Sequence, residues 1–363
     1  MALIALLNRS CAKSSGKNTM SSWTNLLKQL IAKENLSPSQ ASHLMTGWLQ
    51  GEPSPEISAG ILVALQSKGI TADELAAMAQ VLQNQSEGQN FSAKLPQPLL
   101  DTCGTGGDGT NTFNISTAVA FVAAAAGVAV AKHGNRAVSS RSGSADVLEA
   151  LGINLAAPTA QIHGAIEAVG ITFLFAPNWH PAMKAVAPVR KALGIRTIFN
   201  LIGPLVNPLH PTAQVLGVYD QSLSRIMAEA LQKLGKTKAV VLHSREGMDE
   251  AGLGNATDLT YLHHGELQEL AIFPQDLGLT AAPLAALHGG DVAENAALLR
   301  QILQGKGTLA QTECVALNAG FALCIADRVE SWQAGVDLAK DVIQSGAPWQ
   351  KAEALKAFLG ANS

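Results

Sequence analysis

Four glycines fall within the ten residues 101–110, Asp-Thr-Cys-Gly-Thr-Gly-Gly-Asp-Gly-Thr. An apolar run at 99–102 that predicts a strand precedes them, and an alanine-rich run at 115–126 that predicts a helix follows. A strand, a tight glycine turn and a helix in succession commit this part of the chain to β-α units around a mainly parallel sheet. Glycines permit positive φ and close approach by a ligand, and successive backbone N–H groups leading into a helix N-terminus can cradle an anion such as pyrophosphate. The run is not a Walker loop, since no Gly-Lys-Ser/Thr follows, and its spacing does not match G-x-G-x-x-G. Taken alone, the glycines would also suit a tight structural turn. Asp108 is odd in an anion cradle and makes better sense if it meets ribose hydroxyls or cation-bound water.

The alternation continues downstream. Strands are predicted at 128–132, 172–176, 215–219 and 239–243, and helices at 145–151, 160–169, 181–193 and 223–234. Residues 258–273 suit further, antiparallel strands, and the chain turns helical again from Val292, closing with 332–343 and 349–359. Upstream, residues 23–85 show helical spacing, as in Leu26, Leu27, Leu30 and Ile31, and Thr71 to Glu74 has the form of a capping box. The expectation is an α/β protein: a small N-terminal helical domain over 23–95, joined by a helical insertion near 178–198 that packs on it, and a larger α/β domain over 96–363 with a mainly parallel central sheet. The stretch 84–98 reads as a linker. Residues 1–22 carry Arg9, Lys13 and Lys17 without an acid and read as a disordered extension, or as residues ahead of a start at Met20.

Charge and cysteine usage exclude several classes. With 25 basic and 28 acidic residues the net charge is −3, so no global positive field draws the chain to nucleic acid or to an anionic membrane. The longest apolar stretch, 121–131, falls well short of the roughly 20 residues of a membrane helix. Cys11, Cys103, Cys314 and Cys324 form no C-x-x-C pair, and no histidine pair has metal-ligand spacing, which favours a reducing, cytoplasmic setting and leaves only a hard, carboxylate-bound cation.

Two more loops carry chemistry. Lys132, His133, Gly134, Asn135 and Arg136 end a predicted strand, where two cations could neutralise phosphate oxygens and an amide could meet a second substrate. Ser139, Ser140, Ser142 and Ser144 follow, a pattern that also suits a plain solvated connection; Asp146 and Glu149 suit the start of the next helix. Asp249 and Glu250 lie on a loop after the strand 239–243, where a Mg²⁺ ion, which takes one or two carboxylates and fills its shell with water and phosphate, could sit.

In that order, these segments resemble the anthranilate phosphoribosyltransferase family, together with 180–184, 189–200 and 203–208, and the resemblance runs from about Trp23 to the C-terminal helices. It implies a fold of the nucleoside phosphorylase/phosphoribosyltransferase class, similar to that of pyrimidine-nucleoside phosphorylases. It implies that phosphoribosyl pyrophosphate is met by Gly104, Gly107, Asp108, Thr112, Asn114, Ile115, Ser116, Thr117, Lys132, His133, Gly134, Asn135, Arg136, Ala137, Val138, Ser139, Ser140 and Ser144. Anthranilate would meet Gly104, Asn135 and Arg190, with His133 and His180 nearby. Mg²⁺, two ions per chain, would be held by Ser116, Asp249 and Glu250. A homodimer through the N-terminal helices and a site between the two domains are implied as well. Of these, Arg190 has a ready physical account, since a guanidinium can grip a carboxylate bidentately. The continuation after Glu250, Ala-Gly-Leu-Gly-Asn-Ala, departs from the Ser- or hydrophobic-rich continuation of the family pattern. A pyrimidine-nucleoside phosphorylase is the main alternative, and a non-catalytic nucleic-acid-binding relative a second.

Overall fold

The computed structural model describes residues 15–87, 95–137 and 141–360. By internal packing they separate into two units: the residues up to Gln85 with His180–Ile202, and Ser86–Trp179 with the residues from Gly203 on.

In the first unit, local sequence sets the helix ends. Helices α1 (Ser15–Ile31), α2 (Pro38–Gln50), α3 (Pro55–Lys68) and α4 (Ala72–Asn84) follow one another. Ser37 with Gln40, and Thr71 with Glu74, close capping boxes at the starts of α2 and α4, and proline opens α2 and α3. The α1 helix starts inside the stretch 1–22, whose first fourteen residues lie outside the described ones. Glu74 is fully buried yet well satisfied, accepting from Leu36 N at 2.7 Å, Thr71 N at 2.9 Å and the Lys68 ammonium at 2.9 Å. The single helix expected over 181–193 is instead a 3₁₀ turn, Pro181–Ala185, and a separate helix, Ala187–Leu193. Pro188 explains the break: it has no N–H to donate, and its ring crowds the carbonyl of Lys184 one turn back.

The second unit is built on a seven-stranded sheet. Its strands are β1 (Leu99–Gly104), β2 (Ala129–Gly134), β3 (Ile171–Phe175), β4 (Ala213–Gly217), β5 (Lys238–Ser244), β6 (Thr257–His263) and β7 (Glu266–Ile272). They lie in the order β3-β2-β1-β4-β5-β6-β7, parallel through β5 and antiparallel for β6 and β7. The helices are α5 (Ile115–Ala125), α6 (Ser144–Ala150), α7 (Thr159–Val169), α8 (Ser222–Lys233), α9 (Val292–Leu303), α10 (Leu309–Ile325), α11 (Trp332–Gln344) and α12 (Ala347–Gly360). All five strands read as parallel form where the apolar runs place them. β4 is buried at every residue, as a strand covered on both faces must be, and that is why such runs do not alternate.

From β1 the chain steps outward to β2 and β3, then returns to pair β4 on the other flank of β1. The topological switch point therefore lies between β1 and β4, where Gly104 and Gly217 end in register, and open parallel sheets bind ligands beyond the strand ends at such a point.

Behind the sheet, α5 and α10 are apolar nearly all round and sit in the core. The α10 and α11 helices touch backbone to backbone. A Cβ on Gly335 would lie 2.6 Å from Gly320 O, and one on Gly320 would lie 2.9 Å from Val336 Cγ2. Gly320→Ala or Gly335→Ala should therefore cost about 2 kcal/mol through overpacking. Urea unfolding would show this as a lower midpoint at unchanged slope; a variant as stable as the wild type would show that the crossing is slack.

Candidate active site

Three strand ends meet at the switch point because two residues there have no side chain. A Cβ on Gly217 would run into the Asp249 carbonyl, and one on Gly104 into the Asp249 carboxylate. The loop after β5 can thus lie directly across the ends of β1 and β4. Within the glycine run, Gly106, Gly107 and Gly109 adopt positive φ, the conformation that glycine alone enters without strain. Two of the amides expected to cradle an anion are already used: Thr105 N donates to Gly217 O at 2.9 Å and Gly106 N to Asp249 Oδ2 at 2.7 Å. Asp108 likewise bonds within the protein, accepting from Thr110 N at 3.1 Å, Thr110 Oγ1 at 2.7 Å and Asp249 N at 3.3 Å. Gly107, Gly109 and Asn111 are exposed and Thr110, Thr112 and Asn114 half-buried, while Phe113 turns into the core, and these residues form the outer arc of the run.

Ser116, Asp249 and Glu250 line one small pocket with Thr102, Gly217 and Asn318. Glu250 also serves α5, accepting from Ser116 N at 3.2 Å and so placing an oxygen acceptor at the start of that helix, where Asn114 makes no side-chain cap bond. Lys132, nearly buried, donates to Thr102 O and to Ser116 Oγ at 3.1 Å. Burial and the nearby Asp108 push the Asp249 carboxyl up to about 7, and burial and Asp249 raise Glu250 well above the usual range. Burial lowers the Lys132 ammonium, opposed by Asp101. Three carboxylates therefore share one strained neighbourhood with a single lysine, and a hard divalent cation fits it in both charge and donor type. Among the described residues no three His, Cys, Asp or Glu side chains form a ready cation cage, so other ligands would come from Ser116, water or substrate.

The loop after β2 folds onto the start of α6. Ala145 N donates to Asn135 O at 3.2 Å and Ser144 Oγ to the same oxygen at 3.4 Å, while Asn135 Oδ1 accepts from Arg136 N at 2.8 Å. Gly134 and Gly143 permit this closeness, since a Cβ on either would strike Ser144 or the backbone of Arg136 and Ala137. Arg136, expected to face phosphate, already has partners within its own loop and helix. Its guanidinium is paired with Asp146 at 3.0 Å and gripped by Glu149, and it lies 5.2 Å from the Phe175 ring centre. Asp146 also accepts from Ala137 N and Gly143 N, both at 3.0 Å, so the two acids do more than start a helix. Val138, Ser139 and Ser140 lie outside the described residues.

His133 is buried in β2, with Nδ1 3.2 Å from Gly203 O, and burial pulls its pKa down to about 4. In the helical unit, Arg190 is half-buried over the Phe199 ring at 5.2 Å and has no carboxylate partner among the described residues. An unneutralised, partly desolvated guanidinium is primed for an anionic ligand. His180 is buried in the same unit.

Sequence reasoning missed the supports. The segment 287–290 braces the exit of the glycine run: Phe113 N donates to Leu287 O at 3.1 Å and Gly289 N to Asn111 O at 2.9 Å. Asn295 bonds Ser142, and Asn318 bonds Ala251. Asn295 and Asn318 sit in no charged or glycine-rich motif, so only their being polar positions in apolar helices could have marked them.

The chain matches two family models, the helical bundle domain of a glycosyl transferase family over residues 24–86 and the a/b domain of that family over 96–349. It is 58% identical over 334 residues to the anthranilate phosphoribosyltransferase of Synechococcus elongatus, covering 92% of this chain and 96% of that protein. The crystal structure of anthranilate phosphoribosyltransferase from Thermus thermophilus superposes with a TM-score of 0.86 at 45% identity, covering 92% and 99% of the two chains. The Saccharomyces cerevisiae enzyme in complex with PRPP and Mg gives 0.82 at 26% identity, covering 94% and 98%. The same enzyme in complex with 4-fluoroanthranilate also gives 0.82, at 25% identity, covering 94% and 99%.

The depressed His133 pKa has a definite sign for stability. Below 6.5 the unfolded chain takes up a proton that the folded one refuses until about 4, so stability is complete above that window and is lost as pH falls through it. Urea titrations at pH 7 and pH 4 should show the wild type losing about 3 kcal/mol more than His133→Gln. Equal losses would mean that the imidazole protonates in the folded state.

Proposed function

The chain belongs to the anthranilate phosphoribosyltransferase family, and from that premise we infer how its residues divide the work. It transfers the phosphoribosyl group of 5-phosphoribosyl 1-pyrophosphate to the amine of anthranilate, giving N-(5-phosphoribosyl)anthranilate and pyrophosphate, the second step of tryptophan biosynthesis from chorismate. The observation that carries the residue assignment is the meeting of the β1, β4 and β5 ends over Gly104 and Gly217, with the acids and Lys132 beside the start of α5.

The aryl amine attacks the anomeric carbon as the bond from that carbon to the pyrophosphate oxygen breaks, inverting the centre; the amine then loses its proton. No nucleophilic side chain is required, because the amine is already neutral at pH 7. The barrier lies in separating charge, with oxocarbenium character on the ribose and negative charge on the departing pyrophosphate. We assign the diphosphate to the outer arc of the glycine run and to Lys132, and the ribose and its phosphate to Asn114, Thr117, Ser144 and the loop after β2. Asp249, Glu250 and the Ser116 hydroxyl would hold Mg²⁺, which when bound neutralises leaving oxygens. Two ions per chain are proposed, in view of the three carboxylates. Arg190 would grip the anthranilate carboxylate, with His180 of the same unit near it; Asn135, His133 and the Gly104 backbone are proposed as further anthranilate contacts, His133, held neutral, acting as a hydrogen-bonding group. Arg136 is assigned to bracing its loop.

A homodimer through the N-terminal helices is proposed as well, with exposed Ile31 and Val63 offering apolar surface on α1 and α3. A cytoplasmic setting suits the free thiols of Cys103, Cys314 and Cys324.

Anthranilate fluorescence should decay on mixing with phosphoribosyl pyrophosphate and Mg²⁺. In the double variant Asp249→Asn/Glu250→Gln the rate should fall by about 100-fold or more; an undiminished rate removes the metal assignment. Arg190→Ala should raise KM for anthranilate by about 30-fold, equivalent to about 2 kcal/mol for a charge-assisted pair, with KM for the sugar donor nearly unchanged. A defect confined to the sugar donor would refute the role given to Arg190.

A further inference from the structure

The residue that follows the two acids is held from behind. Ala251 is fully buried, and both of its backbone groups bond one side chain on α10: Ala251 N donates to Asn318 Oδ1 at 2.9 Å, and Asn318 Nδ2 donates to Ala251 O at 2.9 Å. Asn318 Nδ2 also reaches Cys314 O, one turn back on the same helix, at 2.9 Å, and the Cys314 thiol donates to Ala251 O at 3.3 Å. Asn318 is itself 2% exposed and lines the pocket that holds Ser116, Asp249 and Glu250. The amide pairs with Ala251 much as a neighbouring strand would, on a helix that the glycine crossing with α11 holds in place.

The rest of the loop suits this attachment. Gly252 and Gly254 leave room for the Glu246 carboxylate, which accepts from Gly254 N at 2.9 Å, so the chain turns away at once after Ala251. The Ala-Gly-Leu-Gly continuation therefore has a structural reason: a side chain at either glycine would strike Glu246.

We propose that Asn318 is a positioning residue for the cation site, holding Asp249 and Glu250 in place through Ala251 without touching cation or substrate. The inference rests on the reading of those acids as cation ligands. Like charges on a loop repel one another and would otherwise spread toward solvent. A neutral amide opposes this without adding charge, and an apolar side chain in its place would leave the buried Ala251 N–H without its acceptor and Ala251 O with only the weak thiol donor of Cys314.

The test combines two readouts on the full chain: the Mg²⁺ concentration for half-maximal anthranilate consumption, and Mn²⁺ binding by electron paramagnetic resonance with phosphoribosyl pyrophosphate present. Asn318→Ala should raise the first by about 10-fold and weaken the second by the same factor, as loss of an outer support of metal ligands does. At high Mg²⁺ kcat should recover, and KM for anthranilate should not move. Asn318→Ser, which keeps one hydrogen-bonding group, should fall between, and it decides the matter if the alanine variant does not fold. Ile325→Val, a packing change on the same helix, should leave both readouts alone. Variants with lower thermal stability but wild-type Mg²⁺ and Mn²⁺ responses would overturn the proposal while leaving the acid assignment standing. A wild type indifferent to both metals would remove the acid assignment, and the proposal with it.

Discussion

The contact between the Asp249 peptide and the two glycines at the ends of β1 and β4 is the constraint on which the site depends. A parallel sheet normally splays its connecting loops apart, because each strand end carries a side chain that holds the next loop away. Here Gly104 and Gly217 stand side by side in register, and a third strand's loop drops into the space. Bringing the carboxylate of Asp249 within reach of the glycine run is a consequence of that gap, and so is the hydrogen bond that ties Gly106 to it.

The arrangement is electrostatically expensive without a ligand. Asp108, Asp249 and Glu250 cluster where burial already disfavours charge, and Lys132, which Asp101 shares, opposes the charge on Glu250. The protein offsets part of this cost with the N-terminus of α5, whose Ser116 amide Glu250 accepts, and with the Gly106 amide. The donors and charges are set before substrate arrives, so little reorganisation is left for the moment at which the leaving group gains charge.

Much of the fold was legible because its signals are local. The apolar runs of the parallel strands, the capping box at Thr71 and the glycine turn before α5 each depend on residues close in sequence. The candidate site was legible where a motif carries unusual chemistry, as at Gly104 to Asp108, Lys132 and the Asp249 pair. Partnerships across long sequence separations were not. Nothing in the sequence says that Asp146 and Glu149 fold back onto Arg136. The break before Pro188 rests on a local signal, the proline itself. Asn295 and Asn318 lie in alanine- and leucine-rich helices, where a lone amide looks like an interruption until its backbone partners are seen.

The crossing of α10 and α11 extends the reach of the chemistry. Gly320 and Gly335 meet no ligand, yet they set how near α10 lies to its neighbour, and α10 carries the amide that grips the loop of the two acids. Neither position can accept even a methyl group unless the other helix retreats, so the pair can drift only in concert. Two residues without functional groups thereby bear on the chemistry through packing alone, from the far side of a buried helix.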